Sequence, residues 1–397
     1  VLSGFVLTRL YSPDDFALLE WFSLVLSLGM TAATLRLEQA VLLPQSDEIA
    51  RGLLKSGIWA SAWLSAALGL IAGITAGAWR ESLGLEIGEA WAFALLAGAI
   101  TFASAQGKMW EYWELRAGST RTIAVSNAIG PWFTETVKWS TAGLGQRVGG
   151  LIWGVSLGAW VKTIYLRRSA GVHSREWWKM SFREFWASCR SYRDYPSWIL
   201  LGSLTNRTAQ WLHVILAAAT LDPLMVGFVA LSRRMVLQPL TIVSQAFAPV
   251  FYRHLSQISE PIFIRQSFWR ASWGLGALAL AVLLVVQSVP HGWVGWLFGE
   301  EWEPAREVTQ VLAPWFAANF VTAGLGGVMH KLRRSRAIFG MDVLHLVFVL
   351  VGWKVGWGSG SDPLDPLRGM VAAKVLYYGV QWGQMAWSVR TAEKYAE

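Results

Sequence analysis

Hydrophobic positions in this chain fill long unbroken stretches separated by short polar connections, rather than recurring on one face of otherwise polar helices. In hydrocarbon only helices and closed barrels satisfy their own backbone hydrogen bonds, and runs of about 18 residues or more are too long for barrel strands. The pattern predicts helices at about 15–43, 49–79, 88–115, 122–144, 147–166, 195–219, 224–252, 267–290, 304–331, 336–357 and 368–390, with the end of a further helix at 1–10. The expected class is therefore all-α and polytopic transmembrane, with about twelve helices. The chain opens on Val1 and its first apolar stretch ends at Leu7, too short to span or to act as a signal peptide, so the first helix is expected to be truncated.

The connections test this map, because Lys and Arg concentrate in the cytoplasmic ones. One alternate set carries Arg51, Lys55, Arg116, Arg121, Arg167, Arg168, Arg175, Lys179, Arg183, Arg190, Arg193, Arg253, Arg265, Lys331, Arg333, Arg334, Arg336, Arg390 and Lys394. The other holds Arg9, Arg80, Arg147, Arg306 and Arg368. This bias, roughly fourfold, places the first set and the C-terminus in the cytoplasm. A missed helix would have scrambled the alternation.

Between Ser174 and Tyr192 the pattern changes: Trp178, Phe182, Phe185, Trp186, Cys189 and Tyr192 recur at helical spacing opposite Arg175, Lys179, Arg183 and Arg190. This reads as a helix on the cytoplasmic surface, either regulatory or a plain linker. The expected organisation is an N-terminal lobe at 1–170, the linker helix at 171–193 and a C-terminal lobe at 194–397. A faint parallel repeat supports two halves: the run from Tyr11 (YSPDDFALLE) aligns with that from Leu221 (LDPLMVGFVA) at an offset of 210 residues. Two such units would place a central cavity between them at mid-membrane, where many transporters bind substrate.

Composition agrees. Hydrophobic residues make up 54% and charged residues 15%, against about 25% charged in a soluble domain. The net charge of +8 sits in the short connections, so no soluble basic face exists for nucleic acid. Cys189 is alone and the six His are scattered one to a segment, which excludes a disulfide framework, a thiolate metal site and a catalytic triad. No cofactor or metal is expected.

Several runs together resemble the polysaccharide transporter, or Wzx-type, branch of the superfamily that also holds multidrug extruders and lipid II flippases. They are LTRLYSPDDF from Leu7, LRLEQAVLLPQSDEIA from Leu35, EYWELRAGSTRTIAVSN from Glu111, YRDYPSW from Tyr192, VGFVALSRRMVLQPLTIVSQAFAPVFYRHL from Val226 and LFGEEWEPAREVTQVLAPW from Leu297. Their order and spacing carry the resemblance across nearly the whole chain. It implies two six-helix lobes that alternate between inward-open and outward-open states and carry an undecaprenyl pyrophosphate-linked glycan across the bacterial inner membrane for surface polysaccharide or lipopolysaccharide synthesis. The expected partners are that lipid-linked oligosaccharide and membrane lipids, with a polysaccharide polymerase assembly as a further one. Departures from the family pattern are the short first helix, Glu114 and Ala117–Gly118 where the loop is usually more basic, and 26 Trp.

A charge at bilayer depth costs about 2.5–3.5 kcal/mol even on the lenient insertion scale, so each one asks for a reason. In the functional reading Arg36, Lys138, Arg207, Arg233 and Arg234 hold the pyrophosphate, since guanidinium donors match phosphate oxygens in pairs. In the structural reading Arg36 pairs with Glu38, and Glu135 with Lys138 at a spacing of three. Arg233 and Arg234 favour the functional reading, because no acid lies within a turn of them in sequence. Asn127, Asn206, Gln210 and Gln245 are candidate contacts to sugar hydroxyls, or ordinary interhelical hydrogen bonders. Glu38 and Glu135 are the carboxylates placed to couple transport to a proton. Lys354 and Lys374 fall nearer the ends of their segments. Trp79, Trp91, Trp110, Trp113, Trp293, Trp296, Trp302 and Trp357 lie at predicted helix ends, as in an interfacial belt, whereas Trp139, Trp211 and Trp273 lie deeper.

Three other functions remain: a pump for organic cations on the same fold, a membrane enzyme of the glycan pathway, and a passive scaffold. A cation pump wants an acidic cavity, whereas the mid-membrane residues are mainly basic. An enzyme would show a large polar loop or an acidic metal cluster; Asp14–Asp15 belongs to a helix start and Asp362 with Asp365 to a Pro-rich connection.

Overall fold

The computed structural model describes residues 7–80, 86–143, 148–171, 180–258, 260–332, 335–359 and 362–391. Its principal elements are α1 (Pro13–Ala33), α2 (Leu37–Ala40), α3 (Asp47–Ile74), α4 (Ile87–Arg116), α5 (Thr120–Gly143), α6 (Val148–Ser169), α7 (Phe182–Ser191), α8 (Leu200–Thr220), α9 (Pro223–Ser232), α10 (Gln238–Gln257), α11 (Pro261–Gln287), α12 (Ala305–Leu325), α13 (Ser335–Gly358) and α14 (Asp365–Thr391). Among the described residues there is no strand.

Among the described residues seven stretches are long and apolar enough to cross a membrane: α1, α3, α4, the run 224–252, α11, the run 305–329 and the run 339–358. Helices α5, α6, α8 and α14, of 21 to 27 residues, have the length to span but lie outside that set. They are the helices that carry Glu135 and Lys138, Lys162, Arg207 and His213, and Lys374. Their lower hydropathy thus marks polar residues at membrane depth, which a polytopic bundle shelters inside itself.

The chain divides into two compact units, each described here by itself. Leu18–Thr208 form the first lobe; the second combines Ala209–Glu397 with the segment up to Ala17.

In the first lobe α3 packs on α4 where Gly69 meets Gly98; a methyl at Gly98 would run into the Ser65 carbonyl. Small residues let the backbones approach closely, which is how helices associate without a hydrophobic drive in lipid. Leu53, Ile58, Met109, Trp110, Leu166, Phe185 and Cys189 share one apolar core. The last two come from α7, which Ser181 and Glu184 cap reciprocally. The backbone and side-chain hydrogen bonds from Ser181 hold the Glu184 carboxyl below its ordinary range. Phe182 and Trp186 of α7 stay exposed, so the amphipathic segment buries one side only. Arg175, Trp178 and Lys179 lie outside the described residues.

Several expected elements differ, three of them as follows. The helix expected at 15–43 breaks at Leu35 and Arg36, both left-handed at φ 52° and 59°, a conformation costing a non-glycine residue about 1–2 kcal/mol. The helix expected at 224–252 runs on to Gln257 but opens into a π turn over Arg233–Leu237. Pro239 explains it: its missing N–H removes a rung from the ladder one turn back. The third is the helix expected at 49–79, which ends at Ile74 and resumes as the single turn Ala76–Trp79.

In the second lobe Pro13 and Pro223 start α1 and α9, where a proline's absent N–H costs nothing. Asp15 accepts from the Ser12 amide at 2.9 Å, and Asp222 from the Leu224 amide at 2.9 Å. Both repeat-related helix starts are thus held by a carboxylate, Asp222 from the capping position and Asp15 reaching back from the first turn. Trp302 is fully buried, donates its indole N–H to the Thr8 carbonyl at 3.0 Å and meets Phe16 edge-on at 5.0 Å, fastening the opening segment to this lobe. Beside it, Glu303 accepts from the Gly292 and Gly295 amides at 2.8 and 2.6 Å. Desolvation pushes the Glu303 carboxyl up, but those amides, Arg306 and His291 outweigh it and hold it below its ordinary value.

Two predictions follow from this packing. A methyl at Gly369 would overlap the Gly352 carbonyl and the Gly356 backbone where α14 crosses α13, whereas Gly379 on the same helix faces open space. Gly369→Ala should lower the thermal midpoint in detergent, by about 1–3 kcal/mol of overpacking, while Gly379→Ala leaves it equal or higher. Because the Glu303 carboxyl is depressed in the fold, the clasp it makes is complete above the ordinary carboxylate range near pH ~4.3 and is lost as pH falls through its folded value. Protection of the Gly292 and Gly295 amides, taken relative to their intrinsic exchange rates, should therefore be high at neutral pH and fall in acid, and Glu303→Gln should flatten that dependence.

Candidate substrate-binding site

The break between α1 and α2 sets the first cluster. Its left-handed turn swings Arg36 so that Nε donates to Ser203 Oγ at 2.9 Å and Nη1 to Glu38 Oε1 at 3.2 Å. Glu38 is buried, and its Oε2 has no hydrogen-bond partner among the described residues. Arg207, one turn beyond Ser203 on α8, lies close enough to feel the Arg36 charge. One buried carboxylate thus sits beside the Arg36 guanidinium, with a second guanidinium within charge–charge range of Arg36. Asn206 is half-buried on α8 and Gln210 is exposed.

The second cluster lies on α4, α5 and α6. Lys138, buried, donates to Glu135 Oε1 at 2.8 Å, the ion pair that the spacing of three allows. Gly154 of α6 makes room for the Lys138 stem, since a methyl there would strike its Cγ. Two turns away Lys162 donates to Asn127 Oδ1 at 2.6 Å and to Glu111 Oε2 at 2.9 Å, and Lys108 stands 3.6 Å from Glu111. Asn127 is therefore tied to a lysine rather than standing alone. Lys162, Glu111 and Lys108 were not among the sequence candidates, because each falls near the end of its apolar run. The available signal was the i, i+3 spacing of Lys108 and Glu111 on a helix that the structure extends to Arg116.

In the second lobe the π turn carries Arg233 and Arg234. The Arg233 guanidinium lies 4.3 Å over the Trp211 ring, and that of Arg234 lies 4.6 Å over Phe16. Stacking takes up the face of a guanidinium, whose N–H donors lie in its plane, the direction from which phosphate oxygens bind. Inserted π turns are frequent at functional sites because they redirect side chains without ending the helix. Trp211, which could have stacked on a sugar, here supports an arginine. Gln245 is exposed on α10 beside Ile242 and Val243, away from buried Ser244.

Lys374 departs from its expected place near a helix end. It is fully buried within α14, its Nζ 3.5 Å over the Trp315 ring. Among the described residues no group of three His, Cys, Asp or Glu side chains could hold a metal ion.

Helices long and apolar enough to cross a membrane, with charged side chains sheltered among them, define a polytopic α-helical membrane protein. The chain belongs to the polysaccharide biosynthesis protein family, whose profile matches residues 6–307. It is similar in fold to an inward-facing multidrug resistance MATE family transporter of the MOP superfamily, at 14% identity and a TM-score of 0.71, covering 100% of this chain and 94% of that one. It is also similar to the lipid II flippase MurJ in an inward closed conformation, at 10% identity and a TM-score of 0.66, covering 99% and 89%. The Vibrio cholerae MATE transporter VcmN in its bent form aligns at 14% identity and a TM-score of 0.59, covering 100% of both chains. A comparison with curated proteins finds no match. Sequence thus gives the family, and the fold is the one shared by these MATE and MurJ structures.

The Lys162 network yields a measurable coupling. Lys162→Met strips Glu111 and Asn127 of their shared donor and should destabilise the chain by about 2 kcal/mol; adding Glu111→Gln should recover part of the loss. Thermal unfolding of the two single variants and the double variant gives the cycle, and additive effects would contradict the pairing.

Proposed function

We propose that the chain is a flippase that moves an undecaprenyl pyrophosphate-linked oligosaccharide across the bacterial cytoplasmic membrane by alternating access, with its C-terminus in the cytoplasm. The observation that carries this reading is the pair of adjacent arginines on the π turn, each laid against an aromatic ring at membrane depth. Family membership supports a polysaccharide precursor as cargo, and a lipid pyrophosphate is the anionic part of such a precursor. Arg36, Arg207 and Lys138 are the further candidate cations for the pyrophosphate.

In this reading Asn127, Asn206, Gln210 and Gln245 contact sugar hydroxyls, and membrane lipids and a polymerase assembly are the remaining partners. Glu38 and Glu135 serve ion coupling, since each is ion-paired through one oxygen while its second oxygen is buried without a hydrogen bond among the described residues.

Each charge-assisted hydrogen bond contributes about 1.5–3 kcal/mol, so removing two guanidinium groups should lower export about a hundredfold or more. The check is the sidedness of the lipid-linked glycan in cells expressing Arg233→Ala/Arg234→Ala as their sole copy, with membrane insertion confirmed. The glycan should accumulate on the cytoplasmic leaflet; export at the normal rate would sink the assignment.

A further inference from the structure

The core of the second lobe holds three titratable side chains that pyrophosphate binding does not use. Lys374 on α14 and His213 on α8 are fully buried, and His345 on α13 is nearly so. Trp315 on α12 joins the first two: the Lys374 Nζ stands 3.5 Å over its ring, and the His213 imidazole meets the same indole edge-on at 4.6 Å. His345 stacks on Tyr377 at 4.3 Å and lies edge-on to Tyr378 at 5.6 Å. Lys374 is within charge–charge range of both imidazoles, and His213 of His345. Neither Lys374 Nζ nor His345 Nε2 has a hydrogen-bond partner among the described residues.

Charged groups reach this cluster from several elements. Arg233, on the π turn, interacts with Lys374 and adds to the positive potential. From α13, Asp342 faces Tyr377, and it is the carboxylate nearest to His345 along that helix. On α11 the neighbours of α14 are Ser272, which accepts from Trp382, and Trp269, over which Arg390 lies.

A buried ammonium beside Arg233 is strongly disfavoured by lost hydration and repulsion, while the Trp315 π face favours it. These opposing effects make the charge on the amine sensitive to its surroundings. A purely structural role would be served better by an apolar side chain, as the surrounding Leu, Val and aromatic residues show.

We propose that Lys374, with His213 and His345, forms a proton-binding site in the core of the second lobe. One proton is taken up by the Lys374 amine or shared with an imidazole, and released when the lobe changes state. Only the coupling of that proton to transport rests on the exporter reading. The binding itself does not, so the two can fail separately.

The test uses the purified full-length chain in detergent. Because Lys374 lies on Trp315, protonation should change the indole emission, so fluorescence is titrated from about pH 5 to pH 9 for the parent, Lys374→Met and Trp315→Phe. A single-proton transition in the parent that vanishes in both variants supports the site. Lys374→Met should also melt at or above the parent's midpoint, and where export is measured its pH dependence should be lost.

If Lys374→Met does not fold, His213→Asn takes its place and should displace the transition. The proposal is overturned if the parent shows no transition assignable to Trp315, or if the transition persists in folded Lys374→Met. It is equally overturned if the transition needs chloride and disappears in gluconate, which would make the cluster an anion site.

Discussion

Charge inside hydrocarbon must be held by something other than water, and the arrangement of this molecule follows from how each charge is held. A carboxylate or guanidinium at bilayer depth is tolerated only if a partner, an aromatic face or a bound ligand replaces its hydration. The first lobe uses partners: Arg36 with Glu38, Lys138 with Glu135, and Lys162 with Glu111 and Asn127. The second lobe uses aromatic faces, with Arg233 on Trp211, Arg234 on Phe16 and Lys374 on Trp315.

These two solutions suit different tasks. An ion pair fixes a charge in place and leaves little of it for a ligand, whereas a cation on a π face remains a strong electrostatic attractor for an oxyanion. The proposed division of labour follows: the second lobe supplies cations laid on aromatic faces, and the first supplies Glu38 and Glu135, each with one buried oxygen that has no hydrogen bond among the described residues. Tight backbone packing makes such burial possible. Gly352, Gly356 and Gly369 bring α13 against α14, the helix whose middle holds Lys374.

Much of the fold was legible in the residues, because runs of lipid-length apolar sequence allow few structures, and most helix starts fell within a few positions of their expected places. The capped Pro starts at Ser12–Pro13 and Asp222–Pro223 were equally readable. The break at Leu35–Arg36 was not, since neither residue is a glycine or a proline and only tertiary packing holds them in a left-handed turn. The π turn left a clue in Pro239, but a proline in the middle of the apolar run expected at 224–252 reads as easily as a kink. At the site, the Arg36–Glu38 and Glu135–Lys138 pairs were visible as alternatives because sequence spacing encodes short-range contacts. The burial of Lys374 and its neighbours was not, because His213, Trp315, His345 and Lys374 come from four helices whose meeting depends on the three-dimensional packing of the lobe.

The central claim is that cations at membrane depth receive an anionic lipid headgroup, and direct binding tests it without reference to transport. Native mass spectrometry of the purified chain can compare undecaprenyl pyrophosphate with the uncharged polyprenol of the same length. The account predicts saturable binding of the pyrophosphate lipid at concentrations where the polyprenol does not bind. Equal binding of the two would show that the chain recognises only the hydrocarbon tail, and would contradict it.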